Sequence, residues 1–448
     1  MIAGTVSALR DRDHIGRPIR VGLIGAGTFG TMFLRQARRA PGVDVVAVAD
    51  LDPLRAGNAL VDAGFDRTTL HFGDELREGQ VLATGEADAV LAADGIDVLI
   101  EATGSPLDAV RHIRRALASG KDVVNVTVEA DALVGPALAA EADRADRVYS
   151  FAYGDQPALI CELVEWARIN GFDVVAAGKG TLHQPGFAST TPDTVWERYG
   201  FDPAVADAAG YDRRMFTSFV DGTKSAIEMA AVASATGLGV ADGGLRFPSS
   251  GNGDLANVLR PVSAGGTLAR SGCVEVVSCV DAAGALVPGD LRWGVFVVFG
   301  APDDAAARCF RDYGLATDES GRYAALWRPN HLVGMELMTS VAMAGIWGEG
   351  TGTPREHVAD VVAVAKRDLP AEMEIDGEGG YAVYGRLMPA SRAAQSNALP
   401  IGLSRGLRTN RHISAGEVLT WDDVDESPET EIIAMREAMT SRAQAVRS

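Results

Sequence analysis

From about Arg20 to Gly154 the chain alternates short, almost continuously apolar runs with stretches of helical period. The runs are IRVGLIG, VDVVAVAD, IDVLIEATG, DVVNVTV and RVYSFAYG. A strand that is apolar on both faces needs cover on both, so these runs predict an α/β fold with a doubly wound parallel sheet of the Rossmann type. The helices between them carry their own punctuation. In SPLDAVRHIRRALASG, Ser105 stands where a cap belongs, Pro106 occupies the first turn and Gly120 closes the end.

Beyond Gly154 the alternation loosens. DQPALICELVEWARING reads as a capped helix, FDVVAAGKG as a strand running into a glycine loop, and MFTSFVDGTKSAIEMAAVASATGL as strand, turn and helix. VEVVSCVD and LRWGVFVVFG, each flanked by turn residues, predict antiparallel strands. This is a second, α+β domain. HLVGMELMTSVAMAGIWG carries Glu336 near its middle and predicts a buried helix rather than a membrane span. Near the end, VVAVAKRDLPAEMEIDG and RGLRTNRHISAGEVLTWDD share a spacing of short strand, basic pair, turn and glutamate, a weak repeat within a small β-rich third domain. The tail from about Ser427 predicts an exposed helix. The expected divisions are 1–154, 155–350 and 351–448.

Composition narrows the function classes. The 448 residues are too many for one ordinary core, and an apolar share of 47% with 23% charged residues is that of a globular protein. A formal charge of -19, with no basic run, speaks against nucleic acid and anionic membranes as partners. No signal-peptide pattern follows Met1. Cys161, Cys273, Cys279 and Cys309 form no C-x-x-C pair, and the histidines show no H-x-x-x-H spacing. A cytoplasmic protein without a structural metal is expected.

Gly25, Gly27 and Gly30 form G-x-G-x-x-G directly after the first run, with Thr28 and Phe29 inside the motif at the start of a helix. The first glycine permits the turn, the second admits a pyrophosphate, and the third lets helix and strand approach. Asp50 ends the next run. A carboxylate there accepts the adenosine ribose hydroxyls and repels a 2'-phosphate, which favours NAD over NADP. The alternative is that Asp50 caps a turn while Asp52 or Arg55 decides, and Arg55 would admit NADP. In EATGSP, Thr103 and Gly104 place small residues where a nicotinamide ribose passes, and Glu101 can equally be a strand-end carboxylate held by backbone.

The candidate chemistry lies further on. If Thr223 caps the helix of DGTKSAIEMA, Lys224 falls in the first turn, where the dipole disfavours a cation, and Glu228 follows at the poorer spacing for an ion pair. Such a lysine suits proton transfer or an anion site, or it is a solvated surface group. Lys179 in AGKG is a second candidate, glycines on both sides giving a ligand access, or else it sits in a surface turn. Asp155 in GDQP is a helix cap by default and a cleft residue by position. His331 in WRPNHL, beside Arg328, is structural or a contact for substrate oxygens. Glu129 opens a helix as a favourable dipole partner.

The glycine motif with IEATG resembles the nucleotide domain of homoserine dehydrogenases. GDQP, AGKG, FVDGTKSAIEMAAVASATGL, RPNHL, EGGYAVYG and LPIGLSRG together resemble the 1-deoxy-D-xylulose 5-phosphate reductoisomerase-like oxidoreductases, whose C-terminal SAF-like domain RHISAGEVLTWDDV matches. The resemblance covers most of the chain. It implies a Rossmann domain, a catalytic domain that also makes a homodimer, and a SAF-like domain, with Lys179, Lys224 and His331 on family motifs. It implies conversion of 1-deoxy-D-xylulose 5-phosphate to 2-C-methyl-D-erythritol 4-phosphate with NADPH, assisted by a divalent cation. Ligands for Mg2+ or Mn2+ would have to be carboxylates such as Asp155 or Glu129 with substrate oxygens, and the spacing selects none. Asp50 departs from an NADPH pattern. The expectation is therefore an NAD(P)-dependent oxidoreductase acting at the carbonyl or alcohol of a small polar, polyol-like substrate, with or without a phosphate. A homoserine dehydrogenase and a non-catalytic nucleotide or sugar sensor are the rivals.

Overall fold

The computed structural model describes residues 4–447, which form two compact units. Each unit draws on two stretches of chain, where three consecutive segments are expected. The first takes the residues through Leu159 together with Leu332–Arg355, and the second takes Ile160–His331 together with the residues from Glu356 on.

The first unit is built on seven parallel strands, β1 (Ile19–Ile24), β2 (Val43–Ala49), β3 (Leu70–Phe72), β4 (Val81–Thr84), β5 (Val98–Glu101), β6 (Asp122–Asn125) and β7 (Tyr149–Phe151). Their order is β3-β4-β2-β1-β5-β6-β7. The chain thus builds outward from β1 on one side and then returns to build on the other, leaving a switch point beside β1. The apolar runs do become buried strands, since Val21, Leu23, Val48, Ile100 and Val124 lie in one core. Leu337 and Val341, from the later stretch, complete that core. The expected buried helix there is two short pieces, Met338–Ala342 running into a π-helical turn over Met343–Trp347. Ser105 does precede a helix, Pro106–Ala118, but its hydroxyl bonds the Asp108 side chain at 2.7 Å instead of capping the backbone.

The second unit holds a mixed sheet of β8 (Asp173–Thr181), β9 (Cys273–Ser278), β10 (Val295–Gly300), β11 (Ala316–Thr317) and β12 (Tyr323–Arg328), in the order β11-β12-β10-β8-β9. Here the expected antiparallel pairing is corrected. β10 runs antiparallel to β8 and β12, but β9 lies on the far side of β8 and parallel to it. MFTSFV, expected as a strand, belongs to the helix Arg213–Val220: Asp212 accepts from the backbone N of Arg214 at 2.8 Å, and Phe216, Thr217 and Val220 face inward at helical spacing. A cap and a period outweigh the β-favouring composition.

The C-terminal stretch adds the hairpin-like pair β13 (Ala359–Ala365) and β14 (Val383–Pro389), antiparallel. This pair packs on the helix Thr223–Thr236. Gly385 N donates to Thr223 Oγ1 at 2.7 Å, and Lys366 pairs with Asp221 at 2.8 Å, both ends fully buried. These bonds make the C-terminal β-rich segment part of the second unit. The final helix, Thr430–Arg447, is exposed on one side only: Ile432, Met435 and Met439 are buried, and Arg436 bonds Asp360 at 2.6 Å.

Candidate dinucleotide and catalytic sites

The parallel register brings the nucleotide residues to one edge. Ile24 lies opposite Ala49 on β2 and Glu101 on β5, so Gly25, Asp50 and Ala102 emerge side by side at the carboxyl ends of three strands. Gly25 has φ of +102°, and a side chain on it would meet the Ala102 carbonyl oxygen at 2.4 Å. On Gly30 a Cβ would meet Gly25 O at 2.2 Å. Gly27 differs from both: the nearest atom to its missing Cβ is an Arg55 guanidinium nitrogen at 3.6 Å. The helix Thr28–Ala37 starts there with Gly27 at its cap, no side-chain cap and no acidic residue in its first turn, and Thr28 and Phe29 open it, exposed. An uncapped helix start over an open glycine is what a pyrophosphate needs, so the residues present fit a dinucleotide.

Asp50 serves the loop. One carboxylate oxygen accepts from Ala26 N at 2.9 Å and the other from Asp52 N at 3.2 Å, while the Arg55 guanidinium stands 3.9 Å away. The turn-capping and ribose-reading alternatives thus meet in one side chain with Arg55 beside it.

On the other side of β1, Glu101 is fully buried. Thr103 Oγ1 donates to it at 2.6 Å and Thr127 Oγ1 at 2.5 Å, with His112 Nδ1 at 3.4 Å. Thr127 Oγ1 also accepts from Gly104 N at 3.1 Å, where the chain turns with φ of +72°. Glu101 is therefore the anchor of the Thr103–Gly104 turn, held by side chains and by Thr103 N. Sequence reasoning misses Thr127 and His112, because a threonine at a strand end leaves no local signal. Below them Asn125 and Tyr149 bond Asp131, at 2.8 and 2.5 Å. Burial pushes the Asp131 carboxyl well above the usual range despite those bonds.

In the second unit Lys179 is buried on β8 and pairs with Glu228 of the helix Thr223–Thr236. It is no surface lysine. Gly222, in the left-handed region at φ of 91°, caps that helix in place of Thr223, which is its first residue and bonds β14 instead. Lys224 remains in the first turn, one helical turn before Glu228 on the same face. His331 Nδ1 lies 2.8 Å from Trp293 O, and the adjacent Gly294 O accepts from Gly180 N at 3.0 Å. One short loop therefore ties His331 to the strand of Lys179. Asp155, in the first unit, precedes the helix Gln156–Ile169, and its carboxylate accepts from Gln156 N at 2.9 Å. Among the described residues no three His, Cys, Asp or Glu side chains gather as a metal site. The residues present do not fit a cation held by protein ligands alone.

These features define an α/β protein with an edge that fits a dinucleotide in its first unit and a buried lysine-carboxylate pair in its second. Residues 154–337, which include Lys179, Lys224 and His331, match the model of the family described as oxidoreductase DRL, catalytic domain. Among solved structures, a 3-ketoreductase from Actinomadura kijaniata is 21% identical over 38% of this chain and 48% of its own, with a TM-score of 0.26. Biliverdin reductase from Synechocystis is 18% identical over 42% and 55%, with a TM-score of 0.28. Scyllo-inositol dehydrogenase from Lactobacillus casei is 15% identical over 37% and 46%, with a TM-score of 0.26. The chain thus spans about half the length of these structures. No curated protein matches it. Among the described residues no helix is long and apolar enough to cross a membrane.

Proposed function

We propose that the protein is a nicotinamide-dependent oxidoreductase acting at the carbonyl or carbinol carbon of a small polar, phosphorylated polyol-like substrate, in the manner of the reductoisomerase-like enzymes it resembles. One observation carries the reading: a fingerprint loop with an uncapped helix start in the first unit, in a chain whose matched catalytic segment buries a lysine-carboxylate pair. The nicotinamide, when bound, supplies or takes the hydride. The chain's own residues do the rest. Gly27 and the first turn from Thr28 receive the pyrophosphate, Asp50 orders the loop and faces the ribose, and Thr103 and Gly104 shape the nicotinamide end. NADH is favoured because the Asp50 carboxylate opposes a 2'-phosphate and takes up part of the Arg55 charge.

Lys224, at a helix start, binds or polarises a substrate oxygen; Lys179, fixed by Glu228, does the same from β8. His331 contributes a ring nitrogen to substrate oxygens, and Asp155 is a weaker candidate because a helix start already uses its carboxylate. Dimerisation through the catalytic segment belongs to the same proposal. The test is loss of absorbance at the reduced-nicotinamide band, with NADH and NADPH in parallel, 1-deoxy-D-xylulose 5-phosphate and Mg2+. Oxidation of NADH in preference to NADPH is expected, as is loss of turnover in Lys224→Ala with cofactor binding kept. Cofactor binding without oxidation would refute the substrate, and unchanged turnover in Lys224→Ala would refute that residue's role.

A further inference from the structure

A cavity of about 480 Å³ opens within the second unit, among the loop after β8, the segment 243–249, the start of the helix Thr223–Thr236 and β14. None of Lys179, Lys224 or His331 lines it. Ala226 does, and it lies two residues past Lys224, about 200° around the helix from it, so the cavity and the proposed catalytic lysine use opposite sides of one helix.

The walls are chemically uneven. His183 and Phe247 stack with ring centroids 3.9 Å apart and planes at 21°, giving a flat apolar surface. Burial holds the His183 ring down to about 4, so it is neutral there at ordinary pH. Phe247 sits in the left-handed region at φ of 53°, a conformation costly for an aromatic residue, and is preceded by Arg246, whose backbone N is held by the buried Glu275 at 3.0 Å. Two arginines, Arg246 and Arg386, line the space. Arg246 spends one nitrogen on Thr267 O at 3.0 Å. No carboxylate pairs with Arg386 among the described residues.

Two carboxylates also line the cavity, and only one of them, Asp281, keeps an uncompensated charge against the two arginines. Asp221 is paired with Lys366 at 2.8 Å. Asp281 accepts from Ala283 N at 2.8 Å and Ala285 N at 3.0 Å within its own turn. The helix start adds nothing to the arginines' charge, because the Asp221 carboxylate already accepts from Thr223 N at 2.9 Å.

We propose that this cavity is a binding site for a small ring-bearing organic anion, its phosphate or carboxylate held by Arg386 and Arg246 and its ring laid against Phe247. The volume suits such a molecule. The site is independent of the nicotinamide reading, since it draws on the second unit alone.

The test is isothermal titration of the full chain with phenyl phosphate, benzoate, inorganic phosphate and phenol. Saturable binding of phenyl phosphate or benzoate is expected, at least roughly tenfold tighter than phenol because a charge-assisted bond is lost with the charge. The better of the two anions identifies the head group. Arg386→Ala should weaken that binding about tenfold while Arg386→Lys keeps part of it, and both should keep the wild-type affinity for NADH. Should Arg386→Ala not fold, Arg246→Gln carries the same expectation. No saturable binding of either ring anion, equal binding of phenol, or an unaltered affinity in the folded arginine variants would overturn the proposal.

Discussion

Glu275→Gln is expected to flatten the dependence of stability on pH. Glu275 lies on β9, buried, with one carboxylate oxygen accepting from Arg246 N at 3.0 Å and Val276 N at 2.9 Å. Burial outweighs those bonds and pushes the carboxyl from 4.5 up to about 7. An acid whose folded value is raised keeps its proton in the folded state longer than in the unfolded chain, so stability falls as pH rises between those two values. At roughly 1.36 kcal/mol per unit, the ionised form costs about 3 kcal/mol at pH 8 and about 2 kcal/mol at pH 6. Glutamine keeps the oxygen that serves Arg246 and Val276 and cannot ionise. It gives up an acceptor for the backbone N–H of Phe247, a constant offset of about 1 kcal/mol that does not vary with pH. The wild type should therefore lose about 1 kcal/mol more than the variant between pH 6 and 8. Urea unfolding followed by tryptophan fluorescence reads this well, because five of the six tryptophans lie in the second unit. Parallel pH profiles for the two proteins would refute the argument.

Gly30→Ala should destabilise the first unit by roughly 2 kcal/mol and abolish NADH binding, since the added carbon meets Gly25 O at 2.2 Å; a variant that binds NADH normally would contradict this. Lys179→Met removes the ammonium that pairs with buried Glu228 and should cost about 3–5 kcal/mol in urea unfolding, most of it recovered in Lys179→Met/Glu228→Leu. Failure of the double variant to recover would show that the two side chains do not act as a pair. Arg55→Ala should raise the Kd for NADPH about tenfold and leave NADH within about twofold, measured by fluorescence titration. Equal effects on both cofactors would remove Arg55 from the choice between them.

Much of the first unit is legible in the sequence because its signals are local. Continuous apolar runs mark β1, β2, β5, β6 and β7, and a three-glycine loop marks the turn after β1. The short LHF and VLAT strands, β3 and β4, carry too few residues for a period and go unseen. Pairings between distant residues are not local at all. Lys179 and Glu228 are 49 residues apart and meet only because β8 lies under one helix. Arg213–Val220 misleads because MFTSFV has the composition of a strand, and only Asp212 and the inward spacing of Phe216 and Val220 disclose a helix. The positive φ of Phe247 has no signature either, since nothing but tertiary contact makes an aromatic residue adopt it. Asp50 is legible in place but not in employment, as its bond to Ala26 N depends on the turn it stabilises.

The first unit's core is closed by Leu337, Val341, Ala342 and Ala344, residues that leave the ribosome only after Ile160–His331 have been made. During synthesis the parallel sheet must wait, its apolar floor incomplete, while the second unit's strands emerge ahead of the piece that finishes it. A fragment stopping at Leu159 should accordingly bind the apolar dye ANS and digest quickly with trypsin, whereas supplying Leu332–Arg355 through a short linker should restore protection. The glycine-loop edge of the first unit is thus not a detachable module but a late-sealed one, and a nascent chain depends on residues made far downstream to finish its first folded unit.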